Sequence, residues 1–111
     1  EPAPATVTPD LVCRHLQSKY RLKPDKLNLL MDTCRKNLNT HFIGAQKALA
    51  DKDMEGLSMA AHSLSGILLT FGLNDWAKIS AHIESAIKAG DLDQPFQDQL
   101  AELHNGLRAI L

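Results

Sequence analysis

Apolar residues recur along this chain at intervals of three and four, and nowhere do they alternate with period two. The first run is short: Leu11, Val12, Leu16 and Tyr20 share a face, and Thr8-Pro9-Asp10 in front of them reads as a helix start. Thr8 would cap the free amides, Pro9 would occupy the first helical position, and Asp10 would sit at the positive end of the dipole. Pro24 opens a second helix in the same way, with a stripe of Leu27, Met31, Cys34, Leu38, Phe42, Ala45 and Leu49. Asp51-Lys52-Asp53 marks a turn and a new N-cap. A third helix follows with Leu57, Ala60, Ala61, Leu64, Ile67, Leu68 and Phe71, ended by Gly72. Asn74 is the expected cap of a fourth, whose inward residues are Trp76, Ile79, Ile83, Ala86 and Ile87, closed by Gly90. Asp93 or Gln94 with Pro95 starts a fifth, striped by Phe96, Leu100, Leu103, Leu107 and Ile110. Five helices, four of them long, joined by short turns, predict an all-α fold: an antiparallel four-helix bundle with a short N-terminal cap helix over 8–111. The Pro- and Ala-rich segment 1–7 reads as the end of a linker.

Composition narrows the function classes. The chain has 111 residues, enough for one core and too few for a doubly wound nucleotide domain or a barrel. Twelve Lys and Arg against thirteen Asp and Glu leave a formal net charge of −1. That balance argues against a nucleic-acid reader, whose affinity rests on neutralising phosphates. No apolar run approaches the roughly 20 residues that cross a bilayer, so no membrane contact is expected. Cys13 and Cys34 form no C-x-x-C pattern, and two reduced thiols in a cytoplasmic domain are the expectation.

The five histidines are the candidates for chemistry. None of His15, His41, His62, His82 and His104 stands three or four residues from another, and there is no Glu-x-x-His, so the helical grammar of metal ligands is absent. No phosphate loop or nucleophile elbow occurs either. Position on the helix separates the histidines. With Leu64 as the centre of the third helix's apolar face, the other six stripe residues fall within about 60° of it, and His62 lies about 160° away. His41 and His82 flank their stripes, where a half-buried structural histidine is the ordinary reading. Ser58, Met59, Ser65, Gly66 and Leu69 are placed on the outward side with His62. Gly66 costs about 1 kcal/mol relative to Ala in a helix interior, although the stripe runs on past it to Phe71. A glycine there suits the close approach of another protein's backbone. Ile43 falls about 140° from Leu38 on its own helix and extends the outward apolar surface, although a lone exposed apolar residue is common.

The run Ala61-His62-Ser63-Leu64-Ser65-Gly66, with Gly72 following, resembles the A-H-x-L-K-G-x-x-x-x-x-G signature of histidine-containing phosphotransfer (HPt) domains. Ile83-Glu84 and Ala89-Gly90-Asp91 resemble that family's following L-E and G-D segment, and the resemblance spans roughly residues 35–92. It implies a phosphoryl carrier in a two-component phosphorelay. His62 would accept a phosphoryl group, on Nε2 as in the family, from a receiver-domain aspartate or a kinase and pass it to a response-regulator receiver. It further implies partners that are receiver domains and a sensor histidine kinase, in the same chain or another. No cofactor or metal of its own is implied; Mg²⁺ belongs to the partner receiver. Between a free-standing domain and the tail of a hybrid kinase, the linker-like start and the absence of an initial Met lean toward the tail. One position departs from the signature: Ser65 stands where the family has Lys, and Lys36, Lys47 and Lys78 are the candidate substitutes for its charge. Two other readings stay open. One is a degenerate HPt-like binding domain without phosphotransfer. The other is a metal- or cofactor-binding helical bundle using His41, His62 or His82. The dimerisation hairpin of a histidine kinase fits less well, because Ser63 stands where an acidic residue would follow the histidine.

Overall fold

The computed structural model describes residues 7–111, which are helical with no strand among them. The helices are α1 (Pro9–Tyr20), α2 (Pro24–Ala50), α3 (Met54–Thr70), α4 (Asn74–Lys88) and α5 (Phe96–Gly106), and a 3-10 turn at Arg108–Ile110 closes the chain. Residues 1–6 of the expected linker lie outside the described residues. Val7, assigned to the same segment, is buried, and its amide donates to Gly106 O at 3.2 Å. The packed chain therefore starts at least one residue earlier than the composition suggested.

The helix ends follow from local chemistry. Thr8 Oγ1 accepts from the Leu11 amide at 3.4 Å, and Asp53 Oδ1 accepts from the Gly56 amide at 2.9 Å, as the capping residues predict. The three turns that follow α2, α3 and α4 share one geometry. After α3, Gly72 takes φ +75°, its amide donates to Leu69 O, and the Leu73 amide reaches back to Leu68 O at 2.9 Å. Gly90 repeats this after α4, and Lys52 does so after α2 at φ 58° without being glycine. This geometry overturns one expectation. Leu73, not Asn74, is the N-cap of α4, because the reach back to Leu68 carries the chain straight into the next helix with Asn74 already in its first turn. At α5 the cap is likewise Pro95 rather than Asp93 or Gln94.

α2 packs against α3, α3 against α4, α4 against α5, and α5 back against α2, while α1 rests on α2. The predicted stripes supply the interior: Cys34, Leu38, Phe42 and Ala45 from α2, Leu57, Ala60, Ala61, Leu64 and Leu68 from α3, and Phe96, Leu100 and Leu103 from α5. Leu27, Met31, Leu49, Ile67, Ile79 and Ile87 pack against this core while partly exposed. Leu107 and Ile110 are buried too, although the chain has left the α-helix by then. In α1 only Val12 and Leu16 are buried, and Leu11 and Tyr20 are exposed. Val12 and Leu16 form a single i, i+4 row toward the bundle, and Leu11 lies about 100° off that row. Ser80 is the buried polar exception on α4; its hydroxyl donates to Ala61 O at 2.7 Å and ties α4 to α3 one residue before His62. Gly106 is required by close approach, since a β-carbon there would overlap the buried Trp76 ring.

Both cysteines are free thiols, and burial pushes the Cys34 thiol up to about 12. No helix among the described residues is long and apolar enough to cross a membrane.

Candidate functional site

His62 stands on the outer ridge of α3 with its side chain 75% exposed. The core face of α3 places it there: Ala61 and Leu64 are buried, and the helical period turns His62, about 160° from Leu64, outward. The imidazole is nevertheless held. Its Nδ1 lies 3.0 Å from Glu84 Oε2 and 3.2 Å from Oε1, across from α4. The Lys88 ammonium donates to the same Oε2 at 2.9 Å from one turn further along α4. Glu84 is only 15% exposed, so His62, Glu84 and Lys88 form a row running from solvent onto the flank of α4.

The charges in this row are mutually supporting. The hydrogen bond from Lys88, with a smaller one from His62, holds the Glu84 carboxyl below its ordinary 4.5 against the opposing effect of burial. An ionised carboxylate can only accept, so the contact requires a proton on His62 Nδ1. In the neutral ring that leaves the lone pair on Nε2. Because the folded carboxyl titrates below its unfolded value, its contribution to stability is complete above that value and is lost as pH falls through the folded one. A carbon-detected NMR titration of Glu84 should therefore show a midpoint below 4.5. A midpoint at or above it would mean the row does not persist in solution.

The other predicted site residues divide. Met59, Leu69 and Ile43 are exposed, at 66%, 53% and 65%, as a contact surface requires. Gly66 is exposed as well, and a β-carbon there would meet nothing within 4 Å, so no internal packing explains the glycine. Ser58 and Ser65 are not outward. Ser58 is buried at 8%, and the Ser65 hydroxyl turns to Ala77 O on α4 at 3.5 Å. Both lie about 100–120° from Leu64 on the side that α4 covers. α3 packs against two helices, so its covered arc is wider than its apolar stripe. Ser58 still lines an open groove of about 320 Å³ with Met59, His62, Ser63, Glu84 and Lys88. On the other side of Met59 and Ser63, a groove of about 450 Å³ runs between α2 and α3 past His41, Gly44 and Lys47.

Of the lysines considered as charge sources, Lys36 pairs with Asp32 at 3.0 Å, Lys78 lies 3.9 Å from Asp75, and Lys47 lines the α2–α3 groove. Lys88 instead shares a carboxylate with His62. Glu84 and Lys88 were not among the predicted site residues. Their signal in the sequence was an i, i+4 acid–base pair on α4, which ordinarily means only a solvated helix face. His82 Nε2 lies 3.3 Å from Gln94 Oε1, and no group of three or more His, Cys, Asp or Glu among the described residues could hold a metal ion.

Searches of curated proteins and of solved structures returned no match. Residues 28–111 match the family model of the Hpt domain, which takes in α3, α4, α5 and most of α2 and leaves α1 outside. With an outward histidine on α3 and most of the chain covered by that match, the protein belongs to the Hpt domain family and has a phosphotransfer role in two-component signalling.

Proposed function

We propose that His62 is the phosphoryl carrier of this domain, taking the group on Nε2 from a receiver-domain aspartyl phosphate and passing it to the aspartate of a second receiver. One observation carries this reading: the Nδ1 contact with Glu84 on an otherwise exposed ring, which leaves Nε2 as the nucleophilic nitrogen facing solvent. In the forward step the Nε2 lone pair attacks phosphorus in line. The Nε2–P bond forms as the P–O bond of the acyl phosphate breaks, and the electron pair returns to the aspartate. The ring becomes an N-phosphorylated imidazolium whose positive charge faces the Glu84 carboxylate. Such transfers proceed through a loose transition state governed by positioning and electrostatics. Mg²⁺ held by the partner receiver would neutralise the equatorial oxygens, and in this reading the domain acts as a carrier rather than a kinase.

In this reading α2–α5 form an antiparallel four-helix bundle with α1 as its cap, preceded by a linker, and the domain works in the cytoplasm beside a sensor kinase. The receiver docks over Ile43, Met59, Gly66 and Leu69, with Ser58 and Ser65 serving beneath that surface. The test is transfer of label from a phosphorylated receiver. An acid-labile, base-stable adduct on the domain supports the carrier reading, and binding of the receiver without any adduct would favour a degenerate binding domain instead.

Gly66 separates folding from docking. Since a β-carbon there meets nothing, Gly66→Ala should stabilise the isolated domain by about 0.5–1 kcal/mol in urea unfolding. The same change should slow transfer from a receiver whose backbone approaches that position. A variant that transfers at the wild-type rate would remove Gly66 from the docking surface.

A further inference from the structure

A carboxylate 3.0 Å from the reacting imidazole has two opposed effects. It fixes the tautomer and steadies the imidazolium that forms, yet its charge repels the anionic group that must arrive at Nε2. Ser65, three residues beyond His62, does nothing to offset that repulsion, because its hydroxyl is turned to Ala77 O. Lys36 and Lys78 are occupied with carboxylates of their own helices. The cation that meets the same Glu84 oxygen as His62 is Lys88, 2.9 Å away, lining the same groove and still 68% exposed.

We infer that Lys88 supplies the positive charge of the phosphotransfer site, compensating Glu84 and drawing the phosphoryl group to His62 from α4 rather than from the position of Ser65. This inference rests on His62 being the phosphoryl acceptor. A lysine has the reach for it: the flexible four-carbon stem lets the ammonium keep Glu84 as one partner while turning its remaining donors toward solvent, where the phosphoryl group arrives. Lys88 is thus a positioning residue acting through the charge of Glu84 and the field at Nε2.

The test uses phosphoramidate, a small anionic donor that needs no receiver to dock. The Nε2–P bond forms as the donor's P–N bond breaks, and the leaving nitrogen departs as ammonia. Lys88→Gln should slow formation of phospho-His62 roughly two- to fivefold at low salt, the range of a solvent-exposed charge effect. The difference should vanish near 1 M salt, where the screening length falls to about 3 Å. A merely structural role would not show that salt dependence. Ser65→Lys should change the wild type little and restore the rate in the Lys88→Gln background. A Lys88→Gln protein that labels at the wild-type rate at low salt would overturn the inference, as would a Ser65→Lys effect equal in both backgrounds. If phosphoramidate labels His62 but no phosphorylated receiver does, the carrier reading fails while the Lys88 comparison still gives its answer.

Discussion

His62→Gln should reduce phosphoryl acceptance from a phosphorylated receiver to background while leaving the fold intact. Glutamine keeps a side-chain amide of similar reach, but an amide nitrogen carries no available lone pair and cannot form a stable bond to phosphorus. The side chain it replaces is 75% exposed and supports no part of the core, so unfolding in urea should shift by no more than about 0.5 kcal/mol. The paired measurement matters, because loss of transfer with an unchanged urea midpoint assigns the effect to chemistry. The remaining histidines provide the internal control. His82 faces Gln94, and His104 stands edge-on to Phe42 with ring centroids 5.3 Å apart, so neither has the exposed, carboxylate-held ring of His62. Residual acid-labile label in His62→Gln would place the acceptor elsewhere.

Leu64→Ala should destabilise the domain by about 3 kcal/mol, within the 2–5 kcal/mol typical of a truncated buried leucine. Leu64 is fully buried at the centre of the α3 face and belongs to the same core as Leu38, Leu68 and Leu103. Removing three carbons there forfeits their transfer free energy and leaves a cavity that helices on both sides of α3 can only partly close. For a domain near this size the melting temperature should fall by roughly 10–20 °C. Met59→Ala, on the exposed side of the same helix, should cost no more than about 0.5 kcal/mol. At a temperature where both variants remain folded, Leu64→Ala should still accept phosphoryl groups, because it leaves His62, Glu84 and Lys88 in place. A loss below about 1 kcal/mol would contradict the burial of this face.

Those two positions sit two residues apart, and their opposite placements, one in the core and one in solvent, were legible in the sequence. The period of α3 alone separates Leu64 from His62, and Gly72 ends the helix where a left-handed residue is needed. Local chemistry also marked Thr8 as a cap and the turn Asp51-Lys52-Asp53 as the source of another, which is Asp53. What escaped depends on neighbours. A wheel drawn for one helix assumes one covered face, but α3 is covered by α2 and α4, and Ser58 and Ser65 therefore turned out to lie under or against α4. The error at α1 has the opposite sense: a helix that rests on α2 covers less than its apolar content suggests, and Leu11 and Tyr20 stay in water. Glu84 is twenty-two residues from His62, and no local pattern says that side chains on these two helices will meet. Once the α3–α4 pairing is known, with Ser80 anchoring Ala61, their meeting follows from register.

Phosphoryl transfer at His62 depends on which ring nitrogen is free to react. Long-range ¹H–¹⁵N spectra of the domain, taken before and after phosphorylation, assign the proton and the phosphorus to individual ring nitrogens. His62 should show the Nδ1–H tautomer in the free domain and phosphorus coupled to Nε2 in the phosphorylated one. Phosphorus on Nδ1, or an adduct on any other residue, would contradict this assignment.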